Sequence, residues 1–360
     1  MNSKTCILYD FLYCMGGAEK TTLVMQEAFP NSKICVDFFN RNSFKKLGET
    51  DIIELGKPST CQPLNAIKGI QNFKRKTGFL KDYDLVIYSG SYAPCAVQNQ
   101  VKGKKVLYCH TIPRFAYDLY SHYFENIPRA ARSIFKMLVA YVRKNYERAF
   151  SEMDLVIANS QNVRSRIQKY LNADAIVINP PVDTSAFKWL GQQDYYLSTA
   201  RLEKYKRVDL IVTAFKKMPD KKLIVTSGGS ELKNLQKLAG NAPNISFTDW
   251  IDHEELIRLM GNAIATIYMP KDEDFGMSPV ESMAAGKPVI GVNEGGVMET
   301  VMDGETGIFV KTEVRDIVRG VGKLSPQKAL NVKETCKKRA DEFNTDNFLV
   351  NLKKHINQNN

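Results

Sequence analysis

The hydrophobic residues fall in short unbroken runs, separated by longer stretches with helical spacing. In the first half, six runs read as buried strands: 5–10, 33–38, 84–88, 105–109, 154–158 and 175–178. Amphipathic helices are predicted near 18–28, 65–76, 129–150 and 161–171. The second half repeats the alternation, with strands at 195–199, 222–226, 245–247, 263–268, 288–291 and 307–310. Its helices fall near 206–217, 231–239, 252–260, 278–285, 296–302 and 313–323. Continuous apolar strands alternating with helices mark parallel sheets covered on both faces by crossover helices. Two doubly wound units in succession fit this order better than one long sheet, so the predicted class is α/β with two Rossmann-like domains.

The boundary is expected at Asn179-Pro180-Pro181-Val182-Asp183, where two prolines end any element and stiffen the link. This gives a first domain over 1–180 and a second over 181–340. From about 328 the chain reads as polar helix, and its last stretch, 341–360, is expected to pack back on the first domain.

Composition narrows the class. Hydrophobic residues make up 44% and charged residues 25%, as in ordinary soluble domains. No apolar run approaches the length of a membrane-spanning helix. The run Cys6-Ile7-Leu8-Tyr9 is too short for the apolar core of a signal peptide. The 7 cysteines are scattered without a Cys-x-x-Cys pair, which argues against a zinc site and for a reducing, cytoplasmic compartment.

The net charge of +11 is lopsided. Residues 1–180 hold 25 Lys and Arg against 15 Asp and Glu, a balance of +10, leaving +1 for the rest. Such asymmetry points to an anionic partner surface. The excess concentrates in 112–150, where Arg114, Arg129, Arg132, Lys136, Arg143, Lys144 and Arg148 face only Asp118, Glu125 and Glu147. Aromatic residues are interleaved, among them Phe115, Tyr120, Tyr123 and Phe124. Cations beside rings suit a peripheral contact with an anionic membrane, on the inner face of the cytoplasmic membrane. The apolar positions of 129–150 suit the core face of an ordinary helix equally well. No nucleic-acid motif accompanies the basic residues, so nucleic acid is not an expected partner.

Four motifs carry candidate chemistry. Gly16-Gly17-Ala18-Glu19 follows the first strand and opens a helix, where close backbone approach and free amides suit a phosphate. Cys109-His110-Thr111-Ile112-Pro113-Arg114 places His110 at a strand's carboxyl end, where doubly wound sheets bind ligands. In Thr199 to Arg207, Arg201 and Lys206 lie at a helix start, an unfavourable place for cations unless an anion joins them. Together they suit a diphosphate.

The fourth motif runs from Pro270 to Glu281 and holds Glu273 and Glu281 eight residues apart. Gly276 permits close approach, and Ser278 is expected to cap a helix with Pro279 at its first position. Gly286-Lys287-Pro288-Val289-Ile290, Glu294-Gly295-Gly296, Glu299 and Asp303-Gly304-Glu305-Thr306-Gly307 follow.

From Glu273 to Gly307 the chain resembles the donor-binding half of glycosyltransferase family 4, with its Glu-x7-Glu motif. The Gly-Gly-Ala-Glu turn, the His-Thr-x-Pro segment, Ala158-Asn159-Ser160, Pro180-Pro181-Val182-Asp183 and the Ala-Arg-Leu…Lys-Arg segment resemble the same family in the same order. The resemblance implies a GT-B fold, two Rossmann-like domains facing a cleft, with acceptor bound by the first and nucleotide sugar by the second. It implies a retaining transfer of a hexose from a nucleotide-diphosphate sugar to a hydroxyl of a glycan or lipid-linked acceptor. The His-Thr-x-Pro-Arg form resembles bacterial polysaccharide and O-antigen mannosyltransferases, pointing to GDP-mannose or a UDP-hexose as donor.

Residue by residue, the resemblance implies that Arg201 and Lys206 hold the diphosphate, helped by amides around Gly16 and Gly17. Glu281 would bind the ribose. Glu273, with the amides of Phe275, Gly276 and Met277, would grip the sugar, and His110 would meet it from the first domain. Catalysis would rest on His110, Glu273, Arg201 and Lys206. No metal or other cofactor is required where cations do the electrostatic work. Asp272-Glu273-Asp274 and Asp82-Tyr83-Asp84 carry an Asp-x-Asp pattern but sit in the wrong context for a metal. Two departures stand out: Gly228-Gly229-Ser230 where the family has Gly-x-Gly, and Asp249-Trp250-Ile251 where it has Gly-x-Val near the base. A nucleotide-sugar epimerase, a glycosyl phosphorylase or a catalytically silent nucleotide-sugar-binding subunit would share the fold.

Overall fold

The computed structural model describes residues 4–44, 51–58 and 62–358. The chain forms two compact units: Met1–Asn179 with Leu349–Asn360, and Pro180–Phe348.

In the first unit the order is β1 (Thr5–Leu12), α1 (Gly17–Ala28), β2 (Lys33–Phe39), β3 (Ile52–Glu54), α2 (Gln62–Lys76), β4 (Leu85–Ser89), β5 (Lys104–Cys109), α3 (Tyr120–Asn126), α4 (Arg132–Ser151), β6 (Leu155–Ala158), α5 (Gln161–Leu171) and β7 (Ile176–Val177). The strands lie as β3-β2-β1-β4-β5-β6-β7, parallel throughout. The order reverses between β1 and β4, which opens a crevice at their carboxyl ends. The strands are apolar on both faces because helices cover both: Cys6, Ile7, Leu8, Ile34, Val86, Ile87, Val106 and Leu107 are all fully buried.

The second unit runs β8 (Tyr196–Ser198), α6 (Val208–Lys216), β9 (Leu223–Thr226), α7 (Leu232–Ala239), β10 (Ile245–Asp249), α8 (His253–Asn262), β11 (Thr266–Tyr268), α9 (Met277–Ala284), β12 (Val289–Val292), α10 (Val297–Thr300), β13 (Gly307–Val310), α11 (Val314–Lys323), α12 (Pro326–Asn331) and α13 (Lys333–Asp341). The sheet is again parallel, β10-β9-β8-β11-β12-β13, with its reversal between β8 and β11. The last helix, α14 (Thr345–Asn357), starts in this unit and ends in the first. There Leu352 and Ile356 are buried.

Several expectations need correcting. Ser278 does not cap α9: the helix begins at Met277, and the capping position is Gly276 in the left-handed region, φ 95°. α6 begins at Val208, because a short 3-10 turn over Lys204–Lys206 and a left-handed Arg207, φ 52°, precede it. The helix expected over 296–302 shrinks to Val297–Thr300, since Val301 is already extended. β3 and α3 went unread, and the Ile52-Ile53-Glu54 strand is only three residues long and partly exposed. Among the described residues, no helix is long and apolar enough to cross a membrane.

Candidate active site

Both crevices lie at the carboxyl ends of central strands, and each gathers polar side chains. In the second unit the loop after β8 is built first. Leu202 is buried and its amide donates to Gly228 O at 3.0 Å, while Glu203 accepts from Ser230 Oγ at 2.7 Å. The Gly228-Gly229-Ser230 turn is thus stapled to Arg201-Leu202-Glu203. Gly229 has to be glycine, because a Cβ there would come within 2.3 Å of Leu202 O. Arg201 is left exposed, with no ion pair among the described residues.

The loops after β11 and β12 close around the next two cations. Lys206 Nζ meets Glu273 Oε2 at 2.6 Å, with both side chains less than a fifth exposed. Burial alone would strip the Lys206 proton, but the Tyr268 hydroxyl and the Glu273 carboxylate outweigh it and hold the proton above the ordinary lysine range. The ammonium also lies 5.3 Å from the Tyr205 ring and 5.8 Å from that of Tyr268. One residue on, Arg207 Nη1 donates to Glu294 Oε1 at 3.0 Å, and the Asp272 amide donates to the same oxygen at 2.7 Å.

Gly295 and Gly296 pack flat on this loop. A Cβ on Gly295 would lie 2.7 Å from Glu273 N, and one on Gly296 would lie 2.5 Å from Asp274 O. The Gly296 amide donates to Glu273 O at 2.8 Å. Phe275 is buried, with its ring set against Phe343, ring centroids 5.4 Å apart. Gly276 and Met277 then begin α9, whose first amides have no partner within the helix. Glu281 lies one turn further on and is buried. Lys206 and Glu273 are therefore in contact, and Gly276, Met277 and Glu281 share one helix start, while Arg201 stands outside the ion pairs.

The first unit holds its groups differently. Asp10, near the end of β1, is buried and accepts three backbone amides: Ser91 at 2.7 Å, Tyr92 at 2.7 Å and Ala93 at 2.8 Å. Burial pushes its carboxyl up to about 6, against the pull of those amides. Gly90, φ 105°, gives the carboxylate room, since a Cβ there would sit 2.5 Å from Asp10 Oδ1. The neighbouring Ser89 Oγ lies 2.7 Å from His110 Nε2, and Tyr9 and Tyr108 set their rings edgewise to the imidazole. Gly16 caps α1 through its backbone. The Glu19 side chain folds back over it, so that a Cβ on Gly16 would meet Glu19 Oε2 at 2.6 Å. Tyr9 hydrogen-bonds Glu19 as well. The helix start at Gly17 therefore already faces a carboxylate.

Sequence reasoning passed over Asp10, Ser89 and the Arg207–Glu294 pair. Asp10 offered one signal, a lone acid within the apolar run Cys6–Leu12. The pair offered none, as its members are 87 residues apart. Among the described residues no group of three His, Cys, Asp or Glu side chains is placed to hold a metal ion.

The comparisons with known proteins agree with this architecture. Residues 15–186 match the model of "Glycosyltransferase Family 4", and residues 183–343 match that of "Glycosyl transferases group 1". The chain is 31% identical over 206 residues to alpha-1,3/1,6-mannosyltransferase ALG2 of Dictyostelium discoideum, covering 48% of each chain. It is 30% identical over 219 residues to the GDP-mannose-dependent alpha-(1-6)-phosphatidylinositol monomannoside mannosyltransferase of Mycolicibacterium smegmatis, covering 52% of this chain and 57% of that one. The matches thus span about half the length of these curated relatives. Sucrose-phosphate synthase from Thermosynechococcus elongatus superposes with a TM-score of 0.77 at 16% identity, over 99% of this chain and 98% of its own. That likeness concerns the fold, which is GT-B. The two family matches meet at 183–186 and together run from residue 15 to residue 343, so the chain belongs to glycosyltransferase family 4.

Proposed function

We propose that this protein transfers a hexose, with mannose the leading candidate, from a nucleotide-diphosphate sugar to a hydroxyl of a glycan or lipid-linked acceptor, with retention of configuration. The observation that carries the reading is the Lys206–Glu273 pair at the carboxyl end of β11, held between the Arg201 loop and the start of α9. A cation and a carboxylate side by side suit a ligand with a diphosphate next to a polyol. Lys206 and Arg201 take the diphosphate, and Glu273 with the amides of Phe275, Gly276 and Met277 takes the sugar hydroxyls. Glu281 takes the ribose. In this reading the second unit binds donor and the first binds acceptor, with His110 and the amide of Gly17 contributed by the first; the Gly16 amide already donates to Cys14 O at 3.0 Å.

The bond from the anomeric carbon to the leaving phosphate oxygen breaks as the acceptor oxygen attacks from the same face. The acceptor proton passes to the departing diphosphate. Lys206 and Arg201 stabilise charge that grows on that diphosphate in the transition state. Turnover should persist in EDTA, and rescue of a lost activity by manganese would contradict this.

Mannose is favoured because both relatives named above are mannosyltransferases, one of them GDP-mannose-dependent. A surface-polysaccharide role rests on the His110 segment alone. Contact with an anionic membrane is supported by α4 and its approach, where Tyr123, Ile134 and Met137 are 43%, 64% and 64% exposed beside Arg129 and Lys136. In this reading the protein binds peripherally on the cytoplasmic face of a membrane. The test is a thermal-shift panel of nucleotide sugars, followed by transfer to an alcohol acceptor. The true donor raises the melting temperature by mass action. Stabilisation by GDP-mannose without sugar transfer would favour a silent binding subunit.

A further inference from the structure

Helix α9 has a second end, and the chemistry there plays no part in sugar transfer. Its first turn belongs to the Glu273 loop, and its last residue, Ala284, lies seven residues after Met277. At 1.5 Å per residue that is about 10 Å away. Ala284 borders a cavity of about 510 Å³ lined by Thr184, Ser185, Lys188, Trp189, Lys337 and Lys338, with Asp341 on its wall.

More cations stand behind this lining. Lys287 is 1% exposed, its ammonium donates to Gly191 O, and it lies 5.2 Å from the Trp189 ring centroid. Lys333 Nζ lies 4.2 Å from the same ring. A Cβ on Gly286 would be 2.9 Å from the Lys333 side chain, 3.4 Å from that of Lys337 and 3.5 Å from that of Trp189, so all three converge on one point. Glu334 answers Lys333 at 3.5 Å and Lys337 at 3.3 Å. Lys188, Lys287 and Lys338 have no carboxylate partner among the described residues. Five lysines against Glu334, Asp341 and Asp183, the last bonded to the lining Ser185, leave the cluster at +2.

A helix carboxyl end welcomes one or two cations through its dipole. It does not account for five, one of them buried without a counter-charge, which is a costly arrangement. The strain is visible in Lys287, pushed down to about 8 by burial and, secondly, by the charge of Lys333. A multiply charged anion in the cavity would relieve it, and the Thr184 hydroxyl adds a donor suited to oxygen, whereas Ser185 Oγ already donates to Asp183 Oδ1 at 2.7 Å.

We propose that this cavity binds a phosphate-bearing anion, gripped by Lys188, Lys337 and Lys338 and balanced against the buried Lys287 and the half-buried Lys333. The site is separate from the donor crevice and lies wholly within the second unit. Its ligand is either a soluble phosphorylated compound or the phosphate of an acidic lipid headgroup.

Trp189 and Trp250 are the 2 tryptophans of the chain, so a Trp250→Phe background reports Trp189 fluorescence alone. In that background, inorganic pyrophosphate is titrated first, then phosphatidylcholine vesicles with and without phosphatidic acid. The expected result is a saturable fluorescence change that weakens at least tenfold in Lys337→Gln/Lys338→Gln and survives in Lys206→Gln. Lys188→Glu, a change at an exposed position that spares the fold, should weaken it as well. A response to pyrophosphate identifies a soluble ligand; a response only to vesicles with phosphatidic acid identifies a headgroup. The proposal is overturned by no response to either, or by one that Lys188→Glu leaves intact and Lys206→Gln abolishes.

Discussion

The two crevices occupy equivalent places in two parallel sheets, yet they hold charge by opposite means. In the first unit Asp10 is tied to three amides of its own chain. In the second, Lys206 and Arg207 are each tied to a carboxylate, Glu273 and Glu294. A carboxylate anchored by backbone amides cannot change partners without opening the loop that carries them. A side-chain ion pair can, because a ligand that brings both an anion and hydroxyls replaces each half in turn. The second unit therefore carries exchangeable charge, and the first carries structural charge.

The contrast breaks most easily at the cations. Lys206→Ala and Arg201→Ala should each lose about 2–4 kcal/mol of transition-state stabilisation, read as kcat/KM. Only Lys206→Ala should also lower the melting temperature, since it leaves the partly buried Glu273 without its cation, whereas Arg201 is exposed. Turnover at the unmodified level in both variants would remove the clamp from the mechanism.

The two glutamates of the second unit sharpen the picture. Glu281→Ala should weaken binding of the bare nucleoside diphosphate by about 1–3 kcal/mol, the usual cost of losing hydrogen bonds to a charged group. Glu273→Ala should leave that binding nearly unchanged and lower kcat. Calorimetry with GDP and UDP decides the matter, and equal losses in the two variants would contradict the division of roles.

In the first unit, Asp10→Asn should destabilise the fold by about 1–3 kcal/mol, because the new amide group faces a backbone donor and cannot accept it. Nucleotide binding should not change. The carboxyl has a folded pKa of about 6 against an ordinary 3.8, so the protonated form is the one that folding favours. Its contribution is full below the ordinary value and is lost as pH rises through about 6. Urea melts between pH 4 and 7 should show that decline in the parent protein and lack it in Asp10→Asn.

The smallest effect belongs to α4. Lys136→Gln should weaken binding to acidic vesicles by about 1 kcal/mol, roughly fivefold, and leave neutral vesicles unaffected. High salt should erase the difference. Equal sedimentation with both kinds of vesicle would detach the basic half from any membrane.

Much of this architecture is legible in the residues, for a physical reason. Strands buried on both faces are continuous apolar runs, so β1, β2, β4, β5 and β6 stand out. β3 does not, because Ile52–Glu54 is short and partly exposed. α3 does not either: none of its residues is buried, and Tyr120 stacks on Phe135 while Phe124 lies tilted against the same ring. The Glu-x7-Glu spacing is local and readable. The true start of α9 is hidden because Ser278-Pro279 offers a plausible cap, while the left-handed turn at Gly276 decides the matter one residue earlier. The Arg207–Glu294 pair and the grip of Asp10 on residues 91–93 join distant parts of the chain, and local spacing carries no trace of either.

The path of α14 bears on how the protein is made. The second unit is contiguous, Pro180–Phe348, whereas the first is completed only by Leu349–Asn360. Leu352 and Ile356 are buried in that first unit, and Lys104 donates to Ile356 O. On the ribosome, the amino-terminal half emerges first yet lacks these apolar side chains until residues 349–360 are made. The unit translated second is thus the first to have all its residues, and the nascent amino-terminal half must wait, partly uncovered, through the synthesis of everything between.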